Sequence, residues 1–438
     1  MERCAPDPDA RTRGAGFVMM PRMISACARR SAVLLPLIAL TLLSAPVSRA
    51  ADRPPPQETP PRGMTELPSP ALPGSGEPDL AVAPDGAVYM SWIEKRDGGG
   101  GRLRIARLAG QLWTDSVTVA EGESLFVNWA DFPRLLAPAK GRLVAAWMWK
   151  RPGGTYAYDV RLASSKDRGR TWSAPETPHR DGTATEHGFV SLAPERDGVR
   201  IVWLDGRAGV GKKEGEAEMT LRSAWLSPTG TLGDEELLDP RVCDCCQTAA
   251  ARSASAGTIV AFRDRDPDEI RDIGLLRNAG SWQRSAPPAD RWKIGGCPVN
   301  GPALAARNHM VALSWFTAPG DTAQVRLAVS RDGGWSLAQA LRVDDGDPIG
   351  RTAVAVLPDG GIAVAWLEHE RNQQATVRIR RVALHETMRA SVVAARTTES
   401  RSSGVPRLAV DGTRLLVAWT DNAKPARVRV TAIPIASL

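Results

Sequence analysis

The sequence predicts an all-β protein, a β-propeller of seven repeat units of about 54 residues, with six blades as the alternative. Three observations predict it. From residue 77 onward one pattern recurs: an apolar strand, a tight turn that usually holds Gly, and a second apolar strand ending in an aromatic residue. Those aromatics, Trp92, Trp147, Trp203, Phe262, Trp315, Trp366 and Trp419, stand 51 to 59 residues apart. A third strand follows each pair, and several of these alternate Arg with Val, Leu or Ile at period two, as a half-buried strand does.

The strand pairs are expected at 79–92, 133–147, 190–203, 248–262, 302–315, 352–366 and 406–419. Third strands are expected at 103–108, 160–163, 221–225, 273–276, 325–329, 377–382 and 428–433. A weaker fourth strand is expected in the first six units. The seventh reaches Leu438 without one, so a segment near residues 64–72 is expected to supply it and close the ring. A stacked solenoid would use shorter repeats.

Ahead of the array, residues 1–50 read as an export signal. Arg29 and Arg30 precede an apolar run of 13 residues, 31–43, too short to cross a bilayer, and Ser48-Arg49-Ala50 offers small residues at a cleavage site. The protein is therefore expected in the periplasm or the medium. Residues 51–76 read as a Pro/Gly-rich linker and 77–438 as the propeller. Composition, with 24% charged and 43% hydrophobic residues, is that of a folded soluble chain. Residues 1–50 carry seven Arg and three acids, which leaves 49 basic against 46 acidic residues in the remainder. There is no Lys/Arg run, no nucleic-acid motif and no apolar stretch that spans a membrane, and a monomer is expected.

Chain topology sorts the charged residues. A turn between third and fourth strands lies on one face of the disc, whereas loops entering first strands, or joining second to third, lie on the other. Just before each inner strand come Glu77, Asp131, His187, Gln247, Asn300, Arg351 and Ser403. Loops after the second strands add Glu94, Lys150, Asp205, Arg207, Arg263, Asp264, Arg265, Glu368, His369 and Asp421, and the fourth unit adds Glu269, Arg271 and Asp272. Guanidinium groups fork onto carboxylates. Arg207, Arg263, Arg265, Arg271 and Arg351 can thus converge on an anionic ligand, with His187, Gln247 and Asn300 beside them, or can pair with local acids as an inter-blade network. If the face hydrolyses a glycoside, Asp131 is the acid/base candidate and Glu269 or Glu368 its partner carboxylate. His179, His309 and His385 are isolated in sequence and read as surface or satisfied loop histidines.

Four cysteines fall in the array: Cys243, Cys245 and Cys246 in a C-D-C-C run, and Cys297 in a second loop. Three readings stand: disulfides, which export favours; a thiolate site for Cu(I) or Zn(II), since four Cys can close a tetrahedral shell; and a redox-active thiol pair.

Ser165-Lys166-Asp167-Arg168-Gly169-Arg170-Thr171-Trp172 matches the S-x-D-x-G-x-T-W box, and Ser330-Arg331-Asp332-Gly333-Gly334-Trp335 is a shortened form. Ser and Asp there satisfy backbone groups of a tight turn, and Trp packs back on the blade. The pattern resembles the bacterial neuraminidase repeat of the sialidase-like superfamily, over about 360 residues. The C-D-C-C loop with Gly296-Cys297-Pro298-Val299-Asn300-Gly301-Pro302 resembles a subgroup of exported sialidase-like proteins. The resemblance implies a propeller and a carbohydrate ligand. For sialidases proper it implies six blades, an arginine triad for a substrate carboxylate, a late Tyr nucleophile paired with Glu, and an Asp acid/base. This chain counts seven units, and its only tyrosines, Tyr89, Tyr156 and Tyr158, come early. The first expectation is thus a propeller that binds an anionic or carbohydrate ligand on the face opposite the box turns. The alternatives are an exo-sialidase-type glycoside hydrolase and a Cu, Zn or redox site on a propeller scaffold.

Overall fold

Turns between first and second strands set the register of each unit, and the units stack as seven antiparallel sheets in chain order. The structure is a computed structural model that describes residues 58–212, 217–285, 287–383 and 388–438; the segment read as an export signal lies outside them. The inner strands are Ser75–Val82, Arg134–Ala139, His187–Glu195, Ala249–Ser253, Ala303–Arg307, Pro348–Val356 and Arg407–Asp411. Each lies against the inner strands of both neighbouring blades, and the first lies against the seventh. This is a closed seven-bladed β-propeller.

Closure works as expected. Thr65–Leu67 is the outermost strand of blade seven, pairing Thr65 with Ala432, Glu66 with Thr431 and Leu67 with Val430. Leu67 is buried, and Ser69 Oγ donates to Val428 O at 2.6 Å. Strand pairing therefore begins inside the stretch read as a linker.

Cross-strand register explains the recurring aromatics. In six blades the closing Trp stands opposite an Arg on the third strand: Trp92 and Arg104, Trp147 and Arg161, Trp203 and Arg222, Trp315 and Arg326, Trp366 and Arg378, Trp419 and Arg429. The long Arg stem covers one side of the indole, a cross-strand pair of the kind that stabilises sheets. Blade four differs at both positions, with Phe262 opposite Gly274. A Cβ on Gly274 would lie 2.4 Å from the Phe262 ring. Apolar layers form between adjacent blades, one of them joining blades six and seven through Leu367, Ile379, Leu415 and Ile433.

Blade two departs from the expected four strands. Its sheet has three, and the fourth is reduced to a single bridge between Leu162 and Glu176. Pro175 and Pro178 flank that position and donate no N–H, so the ladder cannot extend. Preceding it, the 165–172 turn closes on itself. Gly169 N donates to Ser165 Oγ at 2.9 Å, and Thr171 N donates to Asp167 Oδ1 at 2.9 Å. Hydrogen bonds from Thr171 and Ser165 hold the Asp167 carboxyl down at about 2.

Candidate functional site

Where the chain enters its inner strands, residues of neighbouring blades interlock. Asp79 Oδ2 accepts from Leu135 N at 2.9 Å, and Asp131 Oδ1 from Phe189 N at 2.7 Å. Gln247 Oε1 accepts from Gly301 N at 2.9 Å, and Asn300 Oδ1 from Arg351 N at 2.6 Å. Each is a side chain of one blade pinned to the backbone of the next. Phe189 and Arg351 sit at bulges with φ of 51° and 53°, which turn their amides outward. The preceding glycines make room: a Cβ at Gly188 would lie 2.0 Å from Asp131 Oδ2, and one at Gly350 2.4 Å from Asn300 Oδ1. Asp131, Gln247 and Asn300 thus already serve as inter-blade pins.

One loop reaches across the axis. Ala130 O of blade two accepts from Gln247 Nε2 of blade four at 2.8 Å, and the Trp129 ring lies 4.5 Å from the Arg351 guanidinium of blade six. An axial cavity of about 70 Å³ has Arg134, Arg351 and Arg407 in its wall, together with Phe132 and Gln247. Asp79 serves both Arg407, at 2.7 Å, and Arg134, at 3.3 Å. Arg351 Nη1 donates to Ser400 O at 2.8 Å and to Gly404 O at 3.4 Å. Among the described residues no carboxylate pairs with it. Burial pushes Arg134 down to about 10, helped by Arg407; burial does the same to Arg351, helped by Arg401. Three guanidiniums thus face one carboxylate. Arg134 and Arg407 escape a reading based on residues before the strands. Their signal is the tripeptide Pro-Arg-Leu, repeated at 133–135 and 406–408.

The other expected arginines do not converge on this cavity. Arg207 Nη2 lies 2.6 Å from Asp205, 2.8 Å from Glu235 and 3.1 Å from Asp181. Arg265 and Arg271 both hold Glu269, at 2.8 Å each. Arg263, 1% exposed, donates only to carbonyls: Asn300 at 2.9 Å, Arg271 at 2.6 Å and Phe316 at 2.6 Å.

Nor do the three expected carboxylates meet. Asp131, Glu269 and Glu368 belong to blades two, four and six, and none lines the axial cavity. Glu368 accepts from the indole of Trp366, two residues before it, and from Asp347 N at 2.6 Å; burial raises its carboxyl. The same Trp-x-acid bond recurs at Trp92–Glu94, 3.2 Å, and Trp203–Asp205, 2.8 Å. Asp131 is 1% exposed, and burial pushes its carboxyl up to about 7. Tyr158 Oη lies 2.9 Å from Asp131 Oδ2 and 2.6 Å from Glu186 Oε1. One hydroxyl proton cannot serve two carboxylates. A protonated Asp131 resolves this by donating to Tyr158, which donates to Glu186.

His187 is not alone. It stacks on His179, with ring centroids 3.8 Å apart and planes 2° apart, and Asp159, Asp181 and Asp205 surround the pair. Burial and the neighbouring His187 push His179 down to about 3. These donors are close enough to share a cation. Imidazole lone pairs lie in the ring plane, however, and an ion midway between parallel rings would lie outside both planes. Arg207 supplies the positive charge instead.

Cys243, Cys245 and Cys246 bring their sulfurs within 4.8 Å of one another, close enough to hold a metal, and Cys297 also reaches Cys243. Among the described residues the cysteines form no disulfide. Cys243 and Cys246, whose sulfurs are 2.8 Å apart, stand in C-x-x-C spacing, with Cys245 inside it.

Fold and hub together define a seven-bladed propeller with an arginine-rich axis. No family model matches the chain, and no curated protein matches it. Solved structures do. The lectin BP39L from Burkholderia pseudomallei aligns at a TM-score of 0.55 and 12% identity, over 83% of this chain and 97% of that one. The GH93 α-L-arabinofuranosidase of Fusarium graminearum aligns at 0.47 and 13%, over 86% and 98%. The Hadza microbial sialidase Hz136 aligns at 0.46 and 14%, over 77% and 74%. At these identities the likeness is one of fold. Among the described residues no helix is long and apolar enough to cross a membrane.

Proposed function

We propose that this is an exported propeller that binds an acidic carbohydrate, or another small ligand bearing a carboxylate, at the axial end of the pinned face. One observation carries the reading: Arg134, Arg351 and Arg407 line one cavity against the single carboxylate of Asp79. A cation taken out of water calls for an anion, and Arg351 has only carbonyls and the Trp129 ring. A cavity of about 70 Å³ suits a carboxylate group and excludes a whole sugar ring. The acid enters, and the ring stays outside, where Trp129 offers an aromatic face. The signal-like residues 1–50 support export to the periplasm or medium.

The test is calorimetric titration of the mature chain with N-acetylneuraminate, glucuronate and galacturonate, beside glucose and galactose. Binding of acids but not neutral sugars, lost in Arg351→Gln without loss of fold, supports the reading. Equal response to neutral sugars, or unchanged binding by Arg351→Gln, refutes it.

A glycoside hydrolase is the second reading, favoured by the Asp131 carboxyl near 7, the range of a general acid. Its burial, and its bonds to Tyr158 and Phe189, weigh against it. Turnover of a fluorogenic sialoside or arabinofuranoside that disappears in Asp131→Asn would put this reading first.

A further inference from the structure

The C-D-C-C loop leaves the outer strand Glu236–Val242 of blade three and leads into blade four, while Cys297 comes from the loop that leads into blade five. Cys243 N donates to Arg263 O at 3.0 Å, which ties the loop to the second strand of blade four. Four sulfurs from two separate loops therefore gather at the end of blade four. Three of them are buried and Cys297 is half-buried.

Their surroundings are cationic. Arg271 Nη1 lies 3.4 Å from Cys243 Sγ. Arg263 is almost fully buried, lies 5.0 Å from the Trp292 ring, and gives its hydrogen bonds to three backbone carbonyls. Among the described residues no carboxylate pairs with Arg263. Carbonyl dipoles solvate a guanidinium but do not cancel its charge, and a buried charge is kept only when something of opposite sign is near. The acids that could do this are engaged elsewhere. Glu269 is shared by Arg265 and Arg271, and Asp244 pairs with Arg265 at 3.3 Å.

We propose that Cys243, Cys245, Cys246 and Cys297 form a closed site for one thiophilic metal ion, Zn(II) or Cu(I), and that Arg263 and Arg271 balance the charge of its thiolates. Binding releases one proton per thiol. Four thiolates around Zn(II) leave two negative charges, and around Cu(I) three; two buried guanidiniums offset most of either. Bonds of about 2.3 Å set sulfurs about 3.8 Å apart in a tetrahedron. The observed limit of 4.8 Å brackets that spacing, and Cys243 and Cys246, at 2.8 Å, open slightly to reach it. Burial of three ligands closes the shell and sets the site apart from exposed thiols that exchange disulfides. The site stands independently of the axial ligand proposed above.

The experiment uses the mature chain, reduced under argon and freed of metal, then titrated with Zn(II) and separately with Cu(I) against chromophoric chelators. Native mass spectrometry reads the stoichiometry. Uptake of about one ion per chain, with four thiols protected from alkylation until a strong chelator is added, is the expected result. Cys297→Ser and Cys245→Ser each abolish protection of the remaining thiols. Arg271→Met keeps all four sulfurs and weakens uptake about 10- to 100-fold, the usual effect of removing an outer-shell partner. Reduced, folded protein that takes up neither ion overturns the proposal. So does uptake that survives both Cys variants unchanged.

Discussion

Replacing Asp131 with Asn separates the charge of this carboxyl from its shape. The wild-type carboxyl titrates near 7 in the fold and near 3.8 when exposed, so the folded state holds its proton more tightly. Its contribution to stability is fully present below about pH 4 and is lost as the pH rises through 7. Across that window the loss amounts to about 4 kcal/mol, or about 1.4 kcal/mol for each pH step. Asn at 131 has no proton to lose, while its oxygen still accepts from Phe189 N and its amide donates to Tyr158 Oη. The assay is urea unfolding followed by Trp fluorescence, wild type against Asp131→Asn, from pH 4.5 to 8.5. The difference between the two should move by about 2 kcal/mol between pH 5 and 6.5, with the wild type losing ground. Tyr158→Phe in the same series should shift the midpoint of that movement, because it removes the acceptor of the Asp131 proton. A difference that stays flat over the whole range would show Asp131 ionised in the fold and would refute the Asp131–Tyr158–Glu186 relay.

Other outcomes follow from the packing and the hub. Leu67→Ala should cost about 2–4 kcal/mol and expose the 58–72 segment to limited proteolysis, since Leu67 anchors the strand that closes the ring. Gly274→Ala should cost about 1–3 kcal/mol by forcing Phe262 aside, read as a lowered urea midpoint; the double variant Gly274→Ala with Phe262→Leu should recover part of the loss. An acidic sugar at about 100 times its Kd should stabilise the wild type by about 2.7 kcal/mol and leave Arg351→Gln unmoved, as thermal shift would show.

The blades were legible because each repeat writes its own boundaries. A buried Trp every 51 to 59 residues, with Arg on the partner strand, reflects a local register that seven sheets obey separately. The closing strand was legible because unit seven lacked one. The fourth strand of blade two was misjudged because Pro175 and Pro178 act through missing N–H groups, which apolar periodicity does not register. The site was far less legible. Which Arg meets which acid depends on contacts between blades, often more than 50 residues apart, as with Asn300 and Arg351. His179 looked isolated because its partners, His187 and Asp159, approach only once blades two and three pack. Asp131 and Asn300 carried a clearer signal in the Gly-x pairs 188–189 and 350–351, which mark bulges built to receive a neighbour's side chain.

The strand Thr65–Leu67 has a consequence for biosynthesis. Glu66 and its partner Arg429 are 363 residues apart in the chain. At a synthesis rate of about 5–20 residues per second, roughly 20 to 70 s separate their appearance. Throughout that interval the growing protein is an open arc, with an unmated strand edge at its leading end and incomplete blades at the other. Such edges invite pairing with other chains. Ring closure is then among the final events of maturation, and any factor that shields nascent polypeptides has its best opportunity before residues 427–434 emerge.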